Sequence, residues 1–290
     1  MIAEVDFTND TVNILRNYGG ANGPKKCIVH NGELYMLKMP PKASKNPEMS
    51  YANSCFSEYI ACHIFESVGI EAQKTLLGRY GDKIAVACKD FVDNDYRLQE
   101  FAFIKNSVFT SARSGYGTDL SDVILAIREQ QLSPAEALET HFWNMFIVVA
   151  LVGNFDRHNG NWGFLVNEKT GDVKIAPVFD CGSCLLPQAT DENMRYILDN
   201  KAEMEKRIYS YPTSALQIDE KKINYAIFLN NTDNAECLKA LEYTAPKIDL
   251  TRINDIIDST PYITDIHRQF LKAYIKERKE KIIDKALLAR

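Results

Sequence analysis

The chain has no excess of basic residues: 34 Lys and Arg stand against 39 Asp and Glu, a net charge of −5 over 290 residues. Without a broad positive field nothing draws in a phosphate backbone, which argues against nucleic acid as the main partner and, more weakly, against an anionic membrane surface. A bilayer-spanning stretch is also lacking, because the longest apolar run, residues 142–152, is interrupted by Asn144 and is too short. The opening MIAEVDFTNDTVN has neither the basic region nor the apolar core of a secretory signal. Internal repeats and low-complexity segments are absent. The seven cysteines are an odd number without such a signal, which predicts reduced thiols in a cytosol. Cys181 and Cys184 have CxxC spacing, but no second Cys/His pair stands where a zinc site would need it. Two small, half-buried residues are favoured over thiol chemistry there. Apolar residues at 46% and charged residues at 25% are ordinary for a globular chain, large enough for one domain or two lobes sharing a cleft.

Strand patterns fill the first ninety residues. KCIVH (26–30) and ELYMLKM (33–39) flank Asn31-Gly32, the strongest short hairpin signal because both residues tolerate positive φ. KTLLGRY (74–80) and IAVACKDF (84–91) flank Gly81-Asp82-Lys83 and predict a second hairpin. Between them, Phe56, Tyr59, Ile60, Ile64, Phe65 and Val68 recur at helical spacing, with Gly69 as the stop. Beyond residue 92 the pattern turns mostly helical. Ser133-Pro134-Ala135-Glu136 has the form of a capping box, opening a helix that runs to Gly153 and is apolar nearly all round in its second half. A last amphipathic helix is expected over about 263–288. WGFLV (162–166) and VKIAPVFD (173–180) predict a third hairpin; pairing Val166 with Val173 would set Asn161 opposite about Val178 and bring it near Asp180.

The stretch GNFDRHNGNWGF (153–164) delivers more chemistry than a turn needs. Asp156 and Asn161 share this loop, and Asp180 ends the following strand. Phosphoryl transfer uses such a set: one carboxylate orients a hydroxyl and accepts its proton, while an amide oxygen and a second carboxylate hold Mg²⁺ on a triphosphate. Gly19, Gly20 and Gly23 in GGANGPKK could bring backbone N–H groups to phosphates, although a lone Gly-rich loop is usually a turn. Lys38 could neutralise phosphate charge, held by Glu58 on the next helix, with Glu48 and Glu66 as alternatives. Taken singly, a solvent-facing strand Lys and a surface helix Glu are the commoner outcome. The order of the parts tips the balance: Gly loop, strand Lys, helix Glu, second hairpin, helical lobe, Asp-x₄-Asn, then Asp-x-Gly.

That order resembles the protein-kinase fold. Asp156-x₄-Asn161 has the spacing of the kinase catalytic loop, and Asp180-Cys181-Gly182 stands where Asp-Phe-Gly would stand; the chain departs from ordinary protein kinases in reading Asp156-Arg157-His158 in place of His-Arg-Asp, in lacking Ala-Pro-Glu, and in a Gly loop that is not GxGxxG. Through GGANG, ELYMLKMPPK, EMSYANSCFSEYIACHI, VACKDF, GNFDRHNGNWGF and APVFDCGSCLLPQA it is similar, nearly end to end, to the HipA-like serine/threonine kinases, in particular their small bacterial cell-translocating type. The resemblance implies an α+β, two-lobed kinase-like fold, with a β-rich N-lobe over 1–91 and a mainly helical C-lobe over 92–290. It implies ATP with Mg²⁺ and transfer to Ser or Thr of a protein substrate. By position it makes Asp156 the catalytic base and Asn161 and Asp180 the metal ligands. Lys38 would contact the phosphates, Gly20, Ala21, Asn22 and Gly23 would cover them, and Lys89, Asp90 and Phe91 would form the hinge beside adenine. His158 falls near the phosphates, as a nucleotide contact or as a structural loop residue. HipA toxins carry an extra N-terminal subdomain that this length does not hold and a phosphorylatable Ser in the Gly-loop region, where GGANGPKK has neither Ser nor Thr. The ending KIIDKALLAR lacks the basic cluster that can mark the cell-translocating type, so a bacterial cytosol is expected rather than secretion into a host. An antitoxin-like partner stays open. So do a phosphoinositide-type lipid kinase, which also uses an Asp-Arg-His…Asn loop, a non-catalytic ATP-binding regulator, and a metal-dependent hydrolase built on Asp156, His158 and Asp180.

Overall fold

The computed structural model describes residues 4–16, 18, 25–40, 51–91, 95–108 and 115–289. A six-stranded sheet is built from β1 (Val5–Asp6), β2 (Thr11–Val12), β3 (Lys25–His30), β4 (Glu33–Lys38), β5 (Thr75–Tyr80) and β6 (Lys83–Lys89), in the order β1-β5-β6-β4-β3-β2. Asn31 (φ 49°) and Gly32 (φ 81°) turn β3 into β4, with His30 opposite Glu33. The second hairpin is tighter than expected: Tyr80 pairs with Lys83, leaving only Gly81-Asp82 as the turn.

Between the hairpins lies α1 (Ser54–Ser67), followed by Gly69 at φ 84°. It packs on β5 and β6. The two-residue period of a strand then sorts the sheet's side chains. Val86 and Cys88 of β6 join α1 in the main core, while Ala85 and Ala87 turn to the other face with Phe7, Ile28, Tyr35 and Leu37. Lys38, paired with Val86, belongs to the α1 face.

The next part is not all helix. Tyr96–Glu100 forms β7, which pairs antiparallel with β8 (Gly163–Asn167), and β8 pairs with β9 (Val173–Ile175). The expected Val166–Val173 register is present. The strand stops at Ile175 rather than running to Asp180, because Pro177 has no N–H for a ladder. Val178 bonds instead to the α1–β5 connection, its N–H to Glu71 O and its carbonyl accepting from Gln73 N, both 2.8 Å. Asn161 is therefore not opposite Val178.

Helices α2 (Phe101–Val108), α3 (Leu120–Glu129) and α4 (Ala135–Val152) follow β7. The chain after β9 is completed by α5 (Asp191–Asp199), α6 (Lys201–Tyr209), the short pair β10 (Gln217–Ile218) and β11 (Lys221–Lys222), then α7 (Tyr225–Asn231), α8 (Ala235–Thr244), α9 (Leu250–Ser259) and α10 (Asp265–Arg278). The expected capping box at α4 does not form: Pro134 takes the N-cap position, and Gln130 Oε1 accepts from the N–H groups of Leu132 and Ser133. By length and composition α4 could cross a membrane, although its run 142–152 alone is too short. Here most of it is buried among α3, α8 and α10, with Trp143, Leu151 and Val152 fully enclosed. The final helix is interrupted by a π turn over Lys279–Asp284.

Candidate active site

Helix α4 ends at Gly153 in the left-handed conformation (φ 64°), which releases the chain into the Asp156 loop. The loop is held from inside. Asn154 Oδ1 accepts from Asp156 N at 2.8 Å, and Asn161 Nδ2 donates to Asp156 O at 2.8 Å. Tyr225 donates its hydroxyl to Asn154 O. The buried Arg157 guanidinium donates to the carbonyls of Asn161 and Phe179, and to Cys181 Sγ at 3.1 Å. One side chain thus ties the Asp156 loop to the Asp180 segment. All seven cysteines are buried; Cys181 serves as an acceptor for Arg157.

On the sheet side, Lys38 Nζ lies 3.1 Å from Glu58 Oε2 and 3.0 Å from Asp180 Oδ1. The ordinary expectation of a solvent-facing Lys and a surface Glu is overturned here, since Glu58 is 1% exposed. Glu66 is exposed, and Glu48 lies outside the described residues. Burial works against the charge of Lys38, yet the carboxylates of Asp180 and Glu58 outweigh it and hold its pKa well above the usual lysine range. Lys38 in turn pulls Asp180 down to about 2, against burial. Burial raises Glu58, with Lys38 opposing. Asp156 is also raised, first by burial and then by the charge of Asp180, with His158 pulling the other way. Asp180 has φ 56°, a left-handed conformation rare for a non-glycine residue and one that clusters at working sites.

Lys38, Asp156 and Asp180, though not Glu58, border a cavity of about 620 Å³ between the sheet and the helical part. Lys38, Phe91, Asp156, His158, Asn161 and Asp180 line it, together with Asp90, Lys25 and Gln73. Asp90 is clamped by Arg16, whose Nη2 lies 2.7 Å away, and by the Tyr18 hydroxyl. His158 Nδ1 accepts from Gly160 N at 3.0 Å, so the ring has a structural bond as well as a place on the wall. Lys89 is not brought in: its side chain pairs with Glu33 at 2.5 Å, and only its backbone serves the strand end. Gly20, Ala21, Asn22 and Gly23 lie outside the described residues.

Sequence reasoning missed Arg16, Lys25, Gln73 and Arg157. Lys25 stands directly across the β3–β4 ladder from Lys38, so the Asn31-Gly32 hairpin register could have found it. Nothing local marks the others.

The donor set suits a hard cation. Asn161 spends its amide N–H on Asp156 O, which leaves the amide oxygen, and Lys38 engages only one oxygen of Asp180. Among the described residues no group of three or more His, Cys, Asp or Glu could cage a metal by itself. A cation here would be completed by phosphate oxygens and water, as Mg²⁺ commonly is.

A sheet-and-helix lobe over a helical lobe, with Lys38, Asp156, Asn161 and Asp180 lining one cleft, is the architecture of a kinase. Residues 17–249 match the model of the HipA-like C-terminal domain family, and the chain belongs to that family. It is a HipA-like kinase, a phosphotransferase. It is 50% identical over 283 residues to the serine/threonine-protein kinase CtkA of Helicobacter pylori, covering 97% of this chain and 87% of that protein. It superposes on the crystal structure of an H. pylori proinflammatory kinase CtkA with a TM-score of 0.94 at 49% identity, covering 99% and 97% of the two chains. The fold is shared more distantly with the toxin HipA of Shewanella oneidensis, from a complex with HipB and operator DNA: TM-score 0.57, 14% identity, 96% of this chain and 70% of that one.

Proposed function

We propose that this serine/threonine kinase transfers the γ-phosphoryl group of ATP to Ser or Thr hydroxyls of a protein, using the cavity between residues 1–91 and 92–290, taken as its two lobes. The observation that carries the reading is the meeting of Lys38, Asp156, Asn161 and Asp180 on one cavity from three separate parts of the chain. Asp156 orients the acceptor hydroxyl and takes its proton; its burial-raised pKa makes it a better base than an exposed carboxylate. The hydroxyl oxygen attacks the γ-phosphorus and ADP departs. Lys38, kept charged by Glu58 and Asp180, neutralises phosphate charge. Asn161 and Asp180 would hold Mg²⁺, which when bound offsets the developing charge on the phosphate oxygens. Phe91 and Asp90 stand where the base of the nucleotide would lie, and His158 near its phosphates. Seven buried cysteine thiols suit a reducing cytosol.

The test is incubation of the purified chain with γ-labelled ATP, Mg²⁺ and a generic protein acceptor, beside Asp156→Asn and Asp180→Asn. Label on Ser or Thr, of the acceptor or of the chain itself, lost in both variants, is expected. Full labelling by Asp156→Asn would remove the base assignment. Label found only on added phosphoinositide vesicles would replace the protein acceptor with a lipid.

A further inference from the structure

Three aromatic rings meet beside Asp156. Phe155 immediately precedes it, Tyr51 stands just before α1, and Tyr211 lies between α6 and β10. The Phe155 ring is 6.1 Å from that of Tyr51 and 5.7 Å from that of Tyr211, centroid to centroid. Phe155 and Tyr51 are half-buried, and Tyr211 is 40% exposed. Single exposed apolar side chains are ordinary on a protein surface, but a contiguous group of large rings is a feature of binding surfaces. None of the three borders the 620 Å³ cavity, whereas Asp156 does. The rings therefore lie just outside the cavity, next to Asp156. Tyr51 also borders the small recess lined by Lys38, Glu58 and Asp180. Burial, and after it the charge of Asp156, raises the Tyr51 phenol. Burial pushes the Tyr211 phenol up to about 12. Both tyrosines are thus neutral near pH 7, and the ring surface carries no charge of its own. Lys222, exposed on β11, brings a positive charge that acts on Asp156.

We propose that Tyr51, Phe155 and Tyr211 form a subsite for an apolar side chain of the protein substrate, within two residues of the Ser or Thr that is phosphorylated. The inference rests on the reading of Asp156 as the base. With a nucleotide filling the cavity, the acceptor chain has to reach Asp156 from outside it, where the rings stand. An extended chain advances about 3.3 Å per residue, so rings beside the base are within reach of a residue one or two positions from the acceptor. An aliphatic or aromatic side chain laid on them removes apolar area from water on both partners. A Lys or Arg would gain a cation–π contact but bring its charge towards Lys222. An Asp or Glu would lose hydration against the ring faces.

The experiment is phosphorylation of a peptide library by the full chain, with γ-labelled ATP and Mg²⁺. Each peptide carries a central Ser or Thr in a random background, with one residue type fixed at one of the four positions on either side. A generic protein acceptor is run alongside. Wild type is expected to favour Leu, Ile, Met or Phe about tenfold over Ser, Lys or Asp at a position within two residues of the acceptor. Tyr211→Ser and Tyr51→Ser, with their melting temperatures measured, should bring that ratio towards one while KM for ATP holds. A ratio lost together with ATP affinity would mean that the rings only shape the site, and would overturn the proposal. So would a preference that survives in both variants. The wild-type profile needs no variant: no apolar preference near the acceptor, or a preference for Lys or Arg there, would overturn the proposal outright. Label on the protein acceptor with none on any peptide would do the same, placing recognition in the folded substrate away from the acceptor. Label on neither would overturn the reading of Asp156 as the base for a protein hydroxyl, and this proposal with it.

Discussion

Arg278 is fully buried at the end of α10 and has no carboxylate partner in its hydrogen-bond set; it caps another helix instead. An α-helix leaves its last four carbonyls without internal partners. In α4, Val149 O is taken by the N–H groups of Gly153 and Asn154, and Val152 O by Leu185 N at 2.9 Å. The two between them belong to Arg278. Its Nη2 reaches Ala150 O at 2.7 Å, and its Nε is shared between Ala150 O at 3.0 Å and Leu151 O at 3.1 Å. Its Nη1 reaches Arg207 O at 2.8 Å. The cation also sits at the negative end of the α4 dipole. Arg278→Met keeps much of the packing volume but strands the carbonyls of Ala150 and Leu151 in the core and leaves the part-buried carbonyl of Arg207 without its donor. Each orphaned group costs about 1–3 kcal/mol, and loss of the dipole interaction adds up to about 1 kcal/mol. Relief from burying an isolated cation works the other way. A net loss of roughly 3–6 kcal/mol is expected, a large part of the stability of most domains. At about 2–4 °C per kcal/mol the melting temperature should fall by about 6–24 °C. Thermal unfolding followed by circular dichroism reads this directly. A shift under about 2 °C would refute the reasoning, because it would mean that water or a rearranged backbone satisfies those carbonyls at no cost.

Lys38→Met strands Asp180 and the buried Glu58 without their cation, so its melting temperature is measured alongside; the folded variant should lower phosphotransfer by about a hundredfold or more in the labelling assay, and activity within threefold of wild type would free Lys38 from the phosphate role. Gly153→Ala forces an L residue to φ 64° and drives its Cβ onto the Tyr274 hydroxyl and to 2.7 Å from Pro212 Cγ. It should destabilise by about 2–4 kcal/mol in urea unfolding, and a neutral result would mean that the α4 exit is looser than drawn. Burial lowers His267, packed edge-on against Phe56, to about 4 from an ordinary 6.5. Between those values the unfolded chain holds a proton that the folded chain refuses, so stability falls as pH drops from 6.5 towards 4, by on the order of 3 kcal/mol in full. His267→Gln should flatten that part of a urea-midpoint profile against pH, and an unchanged slope would count against the burial cause.

Much of the candidate site could be read before any fold was known. The Asp156-to-Asn161 spacing, the following strand and the Asn31-Gly32 turn are local patterns, and local patterns carry backbone geometry: positive φ at a hairpin, an alternating face along a strand, a left-handed glycine closing a helix. Those rules put Lys38 on a strand, Glu58 on a helix and Asp180 past a turn. They could not say that Lys38 and Glu58 meet, since two-residue and 3.6-residue periods describe a face and not what covers it. Strand β7 was invisible for a related reason: YRLQE owes its extended form to its partner β8, which starts eleven residues after the end of α4.

What the sequence by itself determined, then, is the order and type of the elements and the chemistry they could carry, because propensity, capping and turn formation act over a few residues. What only the tertiary structure decided is which charges are buried and who answers them. Arg157 reaches Cys181, 24 residues away, Arg278 reaches the end of α4 across 128, and Gln73 meets the Lys89 carbonyl 16 residues on. A buried polar group must find its partner wherever the packed chain places one, and that requirement has no period along the sequence.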